Sequence, residues 1–318
     1  MKLLSAAIAL TIGLAIVSLF IGASDVSLST LLSGEDRAVQ VLLASRIPRT
    51  LALMLAGSSM AIAGMIMQML VRNRFVEPST AGTVESASMG LLVATLVAPG
   101  MPVFGKMLVA ALFALAGTAL FLRILRQVKM RDVLIVPLIG IMFSGVISAI
   151  TTFFAYRFDL LQSLLAWTTG DFSGVLRGRY ELLWIGFVLT IFAYIAADRF
   201  TVAGMGRDFT VNLGVNYRRV VSLGLGIVSL VTAVVVVTVG MIPFLGLIVP
   251  NVVSIMFGDN MRKSVPWVAV MGASFVLLCD IVGRVIRQPY EIPIGVVVGV
   301  VGSGIFLYLL LRRRANVA

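Results

Sequence analysis

Residues 220–257 read VVSLGLGIVSLVTAVVVVTVGMIPFLGLIVPNVVSIMF, 38 positions without a charged side chain. As one helix this stretch would be about 57 Å long at 1.5 Å per residue. That is nearly twice the roughly 30 Å of a bilayer's hydrocarbon core. Gly240 and Pro243 supply a natural break near its middle, because proline lacks an amide hydrogen and clashes with the preceding turn. The stretch therefore reads as two spans, 220–239 and 242–257, and that division sets the count for the whole chain.

Working outward, apolar runs at about 3–22, 50–70, 84–98, 105–122, 133–155 and 181–197 come before it. Runs at 265–283 and 293–311 follow. The expectation is an all-α polytopic membrane protein of ten transmembrane helices with both termini cytoplasmic, in a single permease-type domain over 1–318. The first run has a cleavage-like Ile21-Gly22-Ala23-Ser24 after it, but it exceeds the ~7–15 apolar residues of a signal peptide. It is expected to stay as the first span. Longer connections are expected outside at 23–49, inside at 198–219, and outside at 156–180, where a half-apolar stretch suggests a short surface helix. Small residues four apart, Gly57/Ala61 and Gly295/Gly299, suit close helix packing.

Composition agrees. The 318 residues are 60% hydrophobic and 12% charged, against about 25% charged in a soluble domain. A water-soluble enzyme, a disordered chain and a disulfide scaffold are excluded, the last because Cys279 is the only cysteine. The net charge of +11 comes from 25 basic and 14 acidic residues. In a membrane chain it reports sidedness, and nucleic acid is not expected as a partner. Merging 220–257 into one span would send Arg312, Arg313 and Arg314 outside, against the positive-inside tendency.

Chemistry is sparse. There is no histidine, so the commonest general base and metal ligand is missing. One cysteine cannot build a zinc site or a Cys–His pair. No G-x-x-x-x-G-K-[ST] loop is present for ATP. An ion-coupled carrier keeps ionisable groups deep in its spans, whereas Glu85 and Asp280 lie near span ends. The reading is a transport subunit, not an enzyme, that draws its energy from another polypeptide and binds no metal or cofactor itself.

Several motifs occur in a specific order. Arg46-Ile47-Pro48-Arg49 precedes the second span, followed by Gly57, Gly64, Gln68 and Arg72-Asn73-Arg74-Phe75-Val76-Glu77-Pro78. Later come Gly240-Met241-Ile242-Pro243-Phe244-Leu245-Gly246, Asp280 with Arg284, and Glu291-Ile292-Pro293-Ile294-Gly295. From about residue 41 to the C-terminus the chain resembles the permease subunits of bacterial ABC importers for ferric siderophores, haem and cobalamin. The resemblance implies a multi-pass subunit in the bacterial cytoplasmic (inner) membrane. It implies a second permease subunit, in a heterodimer, and two ABC ATPase subunits that carry ATP and Mg. It also implies a substrate-binding protein docking outside.

By the same resemblance, Arg46, Arg49 and Arg284 occupy the positions that pair with glutamates of the binding protein, as charges on an exposed rim. The loop at 198–219 is the ATPase-coupling element, a pair of short helices. Its family pattern is met by Gly206, Arg207, Asp208, Leu213, Gly214 and Val215, with Arg207 standing where a glutamate is usual. Asp132, Val133 and Leu134 match the cytoplasmic gate. Asn251 stands where a histidine is common, and it can keep a hydrogen bond but cannot titrate. Residues 72–85 look most like permeases for ferric catecholate-type siderophores. Cobalamin or haem permeases and a stand-alone ion-coupled transporter are the competing readings.

Overall fold

The computed structural model describes residues 2–22, 36–128, 135–287 and 289–315. Among the described residues the regular elements are all helical: α1 (Lys2–Phe20), α2 (Asp36–Val71), α3 (Thr83–Val97), α4 (Val103–Gln127) and α5 (Ile135–Arg157). After the short α6 (Leu161–Thr168) come α7 (Leu183–Ile195), α8 (Ala197–Gly204) and α9 (Arg207–Asn212). The chain continues through α10 (Tyr217–Val239), α11 (Leu245–Phe257), α12 (Met261–Val285) and α13 (Ile294–Ala315). Six of these are long and apolar enough to cross a membrane, and α7 with α8 makes a seventh, bent by 66°. The shorter apolar helices are α3, α11 and the 294–309 part of α13. Each of the ten predicted apolar runs falls on one of these helices.

The deciding stretch is two helices. α10 stops at Val239, and Gly240 adopts φ 83°. That conformation suits glycine alone, and a Cβ there would stand 2.4 Å from the carbonyl oxygen of Thr169. The predicted surface helix is α6, whose Leu164 packs on Leu92 and Ala155.

α2 is the axle of the bundle. Ala52, Ala56, Ala61, Ala63 and Ile66 on all its faces are fully buried, because α7, α10, α11 and α12 surround it. Its small residues allow this. A Cβ at Gly246 of α11 would lie 2.9 Å from the Cα of Gly64, and Gly57 meets the backbone of Gly272 on α12. By contrast α5 is mostly exposed, with Leu138, Ile141, Met142, Val146 and Phe153 facing outward, and α1 touches the bundle chiefly along α12.

Candidate functional site

Two opposite ends of the bundle gather the residues singled out above. At the first end, Arg49 near the start of α2 points into the protein. Its Nη2 and Nε donate to Asp280 Oδ1 at 2.7 and 3.3 Å, and its Nη1 donates to Glu291 Oε2 at 2.6 Å. Asp280 lies on α12, one turn before Arg284, and the Arg284 Nη2–Asp280 Oδ2 distance is 2.6 Å. Arg284 also donates to the carbonyls of Ser18 and Ile21 and to the Ser18 hydroxyl. Arg46 donates to the same Ile21 carbonyl at 2.7 Å.

Among the described residues three guanidiniums and two carboxylates meet here, and the last carbonyls of α1, the partly negative end of a helix dipole, face the guanidiniums as well. The expectation of an exposed arginine rim is corrected by this geometry. Arg46, Arg49 and Arg284 are 6%, 8% and 2% exposed, because each is already bonded within the chain. Asp280, which the sequence places near the membrane interface, is likewise 2% exposed.

The second end is built from α8 and α9. The predicted loop is a pair of short helices, with α8 bent away from α7 at Ala196. Gly206 (φ 115°) and Gly214 (φ 74°) turn the chain on either side of α9, where side chains bearing Cβ are strained. The buried Thr210 ties the pair together, its hydroxyl donating to the carbonyls of Val202 and Gly206 at 3.0 and 2.6 Å. Around this elbow Met205, Phe209, Val211 and Leu213 are about half exposed, at 53%, 49%, 56% and 56%. Arg207 and Asp208 flank them in the open, and Val215 is half-buried. An apolar patch edged by charges on two rigid short helices is suited to seating in a partner's groove. Asp132, Val133 and Leu134 lie outside the described residues.

Between the two ends, the segment after α2 does more than its sequence announces. Arg72 ends α2 in the left-handed region, φ 55°. Arg74 pairs with Asp259, and its carbonyl accepts from Asn251 Nδ2 at 2.7 Å. So Asn251 keeps the hydrogen bond expected of it, and a second one to Leu247. Glu77, 1% exposed, accepts from the backbone amide of Phe244 at 2.9 Å and from the Ser79 hydroxyl. The sequence signal for this contact was Phe244-Leu245-Gly246 after a proline, a helix start with no capping side chain of its own.

Residues 10–312 match the FecCD transport family, and the chain belongs to that family. Among its relatives is the petrobactin import system permease protein YclN of Bacillus subtilis, 52% identical over 96% of this chain and 97% of that one. The ferric-anguibactin transport system permease protein FatD of Vibrio anguillarum is 42% identical over 93% of this chain and 94% of its own length. A solved inward-facing transporter classed as metal-chelate type superposes with a TM-score of 0.80 at 25% identity, covering 98% of both chains.

Proposed function

We propose that this chain is the transmembrane permease subunit of an ATP-driven importer that carries a ferric siderophore across the bacterial cytoplasmic membrane. The observation that carries this is near full-length similarity to permeases named for petrobactin and ferric-anguibactin import. In this reading the chain is one permease domain of ten spans with both termini cytoplasmic. The ion pairs support that topology. Arg49–Asp280, Arg49–Glu291 and Arg284–Asp280 join residues the ten-span reading puts outside, and Arg74–Asp259 and Arg262–Asp198 join residues it puts inside. Merging 220–257 into one span would split Arg49 from Asp280 across the bilayer.

The exposed elbow at 197–215 seats in a cytoplasmic ATPase, which holds ATP and Mg; this chain binds neither. A second permease subunit, different in sequence, completes the passage, and a substrate-binding protein docks at the opposite end. There Arg46, Arg49 and Arg284 hold α1, α2 and α12 together beneath the docking face.

Purification of the tagged protein from native membranes in mild detergent tests this reading, together with uptake of radiolabelled ferric petrobactin by cells with and without it. An ATPase and a second permease co-purify, and uptake falls to background when the gene is deleted. Replacing Gly206 and Gly214 with leucine releases the ATPase. Isolation alone, even after crosslinking, with uptake driven by an ion gradient, would instead make the chain a self-sufficient carrier.

A further inference from the structure

We infer that residues 72–77 form a strut that carries movement of the 197–215 elbow to α11, with Arg72 and Glu77 as its positioning residues. This rests on the reading above, in which the elbow is the part an ATPase moves.

The lower end of the strut lies against the elbow. Glycines 204 and 206 rest on the last turn of α2: a Cβ at Gly204 would lie 2.9 Å from Met69 Sδ, and one at Gly206 3.2 Å from Arg72 Nη1. Arg72 makes no ion pair among the described residues, so its guanidinium is a packing surface for the Gly206 turn. Any shift of α8 or α9, which Thr210 holds together, presses on this point.

The elbow does not pack directly on α11 at this level. A cavity of about 410 Å³ separates them, with Thr201, Gly204 and Met205 on one wall and Pro250 and Ser254 on the other. Arg72, Asn73 and Arg74 line the same cavity and bridge it.

The upper part of the strut runs beside α11 and holds it at three heights. Arg74 pairs with Asp259, just beyond the α11 C-terminus. The Arg74 carbonyl takes Asn251 in the middle of the helix. Glu77 takes the Phe244 amide at its start. Phe244 has φ 61° and offers no side-chain cap, so the open end of α11 is capped by a carboxylate 167 residues away in the chain. An additional bond runs from Gln68 Nε2 to the Gly246 carbonyl at 3.2 Å. A short helix held at its start and its middle follows its clamp as a rigid body, the partly exposed Arg74–Asp259 pair adding little.

A second connection leads elsewhere. The Met261 amide donates to Thr201 Oγ1 at 3.1 Å, and Arg262 pairs with Asp198, joining the elbow to α12. The ion pair is exposed on both sides, 60% and 57%, and exposed pairs contribute little. It serves as the control.

The test uses the complex purified with its ATPase. Spin labels are placed at Asn212→Cys on the elbow and at Ile255→Cys on α11, each paired with Leu112→Cys on α4. Distances are read without nucleotide and with ATP, Mg and vanadate. Both distances shift in the otherwise unmodified protein. In Arg72→Ala the elbow still shifts and the α11 change is lost. Asn251→Ala, which removes the middle grip and leaves the one at Glu77, reduces the α11 change, while Arg262→Ala leaves both shifts intact. An α11 shift of full size in Arg72→Ala and Asn251→Ala, or its equal loss in Arg262→Ala, overturns the strut alone. If neither distance responds to nucleotide in the unmodified complex, the ATP-driven reading falls and the strut falls with it.

Discussion

At the Arg46 end three guanidiniums and Asp280 are held inside the protein with Glu291 half-buried beside them, whereas at the elbow end the pairs Arg74–Asp259 and Arg262–Asp198 sit partly or wholly in the open. A buried ion costs several kcal/mol to desolvate and stays only where geometry compensates it. An exposed pair contributes about 0–1 kcal/mol and exchanges readily with other partners. The first end therefore fixes three helices to one another. The second leaves charged and apolar side chains free to meet another protein.

The largest break in this comparison comes from Asp280→Ala. It strands Arg49 and Arg284 without their shared carboxylate, and the loss of stability is about 3–5 kcal/mol, read as a lowered melting temperature in detergent.

A smaller effect is expected for Gly206→Val. Backbone strain at φ 115° and the close Arg72 side chain cost about 1–3 kcal/mol, and ATPase co-purification falls further than stability does. Arg262→Ala sharpens the contrast from the other side: its pair with Asp198 is exposed, and the melting temperature in detergent stays at that of the unmodified protein.

Features set by neighbouring residues were legible in the sequence. The Gly240–Pro243 break follows from local backbone rules and a short helix within 156–180 from its half-apolar pattern, while the glycines at 206 and 214 came with the family resemblance. The burial of Arg46, Arg49 and Arg284 was not legible, because it depends on partners far along the chain. Arg49 meets Asp280 across 231 positions, and Arg284 meets Ile21 across 263. A motif can say that an arginine belongs at a place, but not whether the side chain faces a solvent rim or the inside of the bundle. Only the i, i+4 spacing of Asp280 and Arg284 offered a local hint of pairing. Glu77 and Arg72 were missed as contacts for the same reason: Glu77 meets an amide, and Arg72 a glycine, neither of which leaves a complementary residue type to find.

The tie at Ile21 also bears on the order in which the molecule is made. α1 leaves the ribosome before α2 to α13, yet the side chain that anchors its end, Arg284, is synthesised 263 positions after Ile21. At bacterial elongation speeds that interval is roughly ten seconds to a minute. Until then, among the described residues, Arg46 and the hydroxyl pair Ser18–Thr50 provide the polar attachments of α1 at this end to the growing chain. An element made early is thus among the last to be locked, and a ribosome stalled before α12 would leave α1 loosely moored in the bilayer.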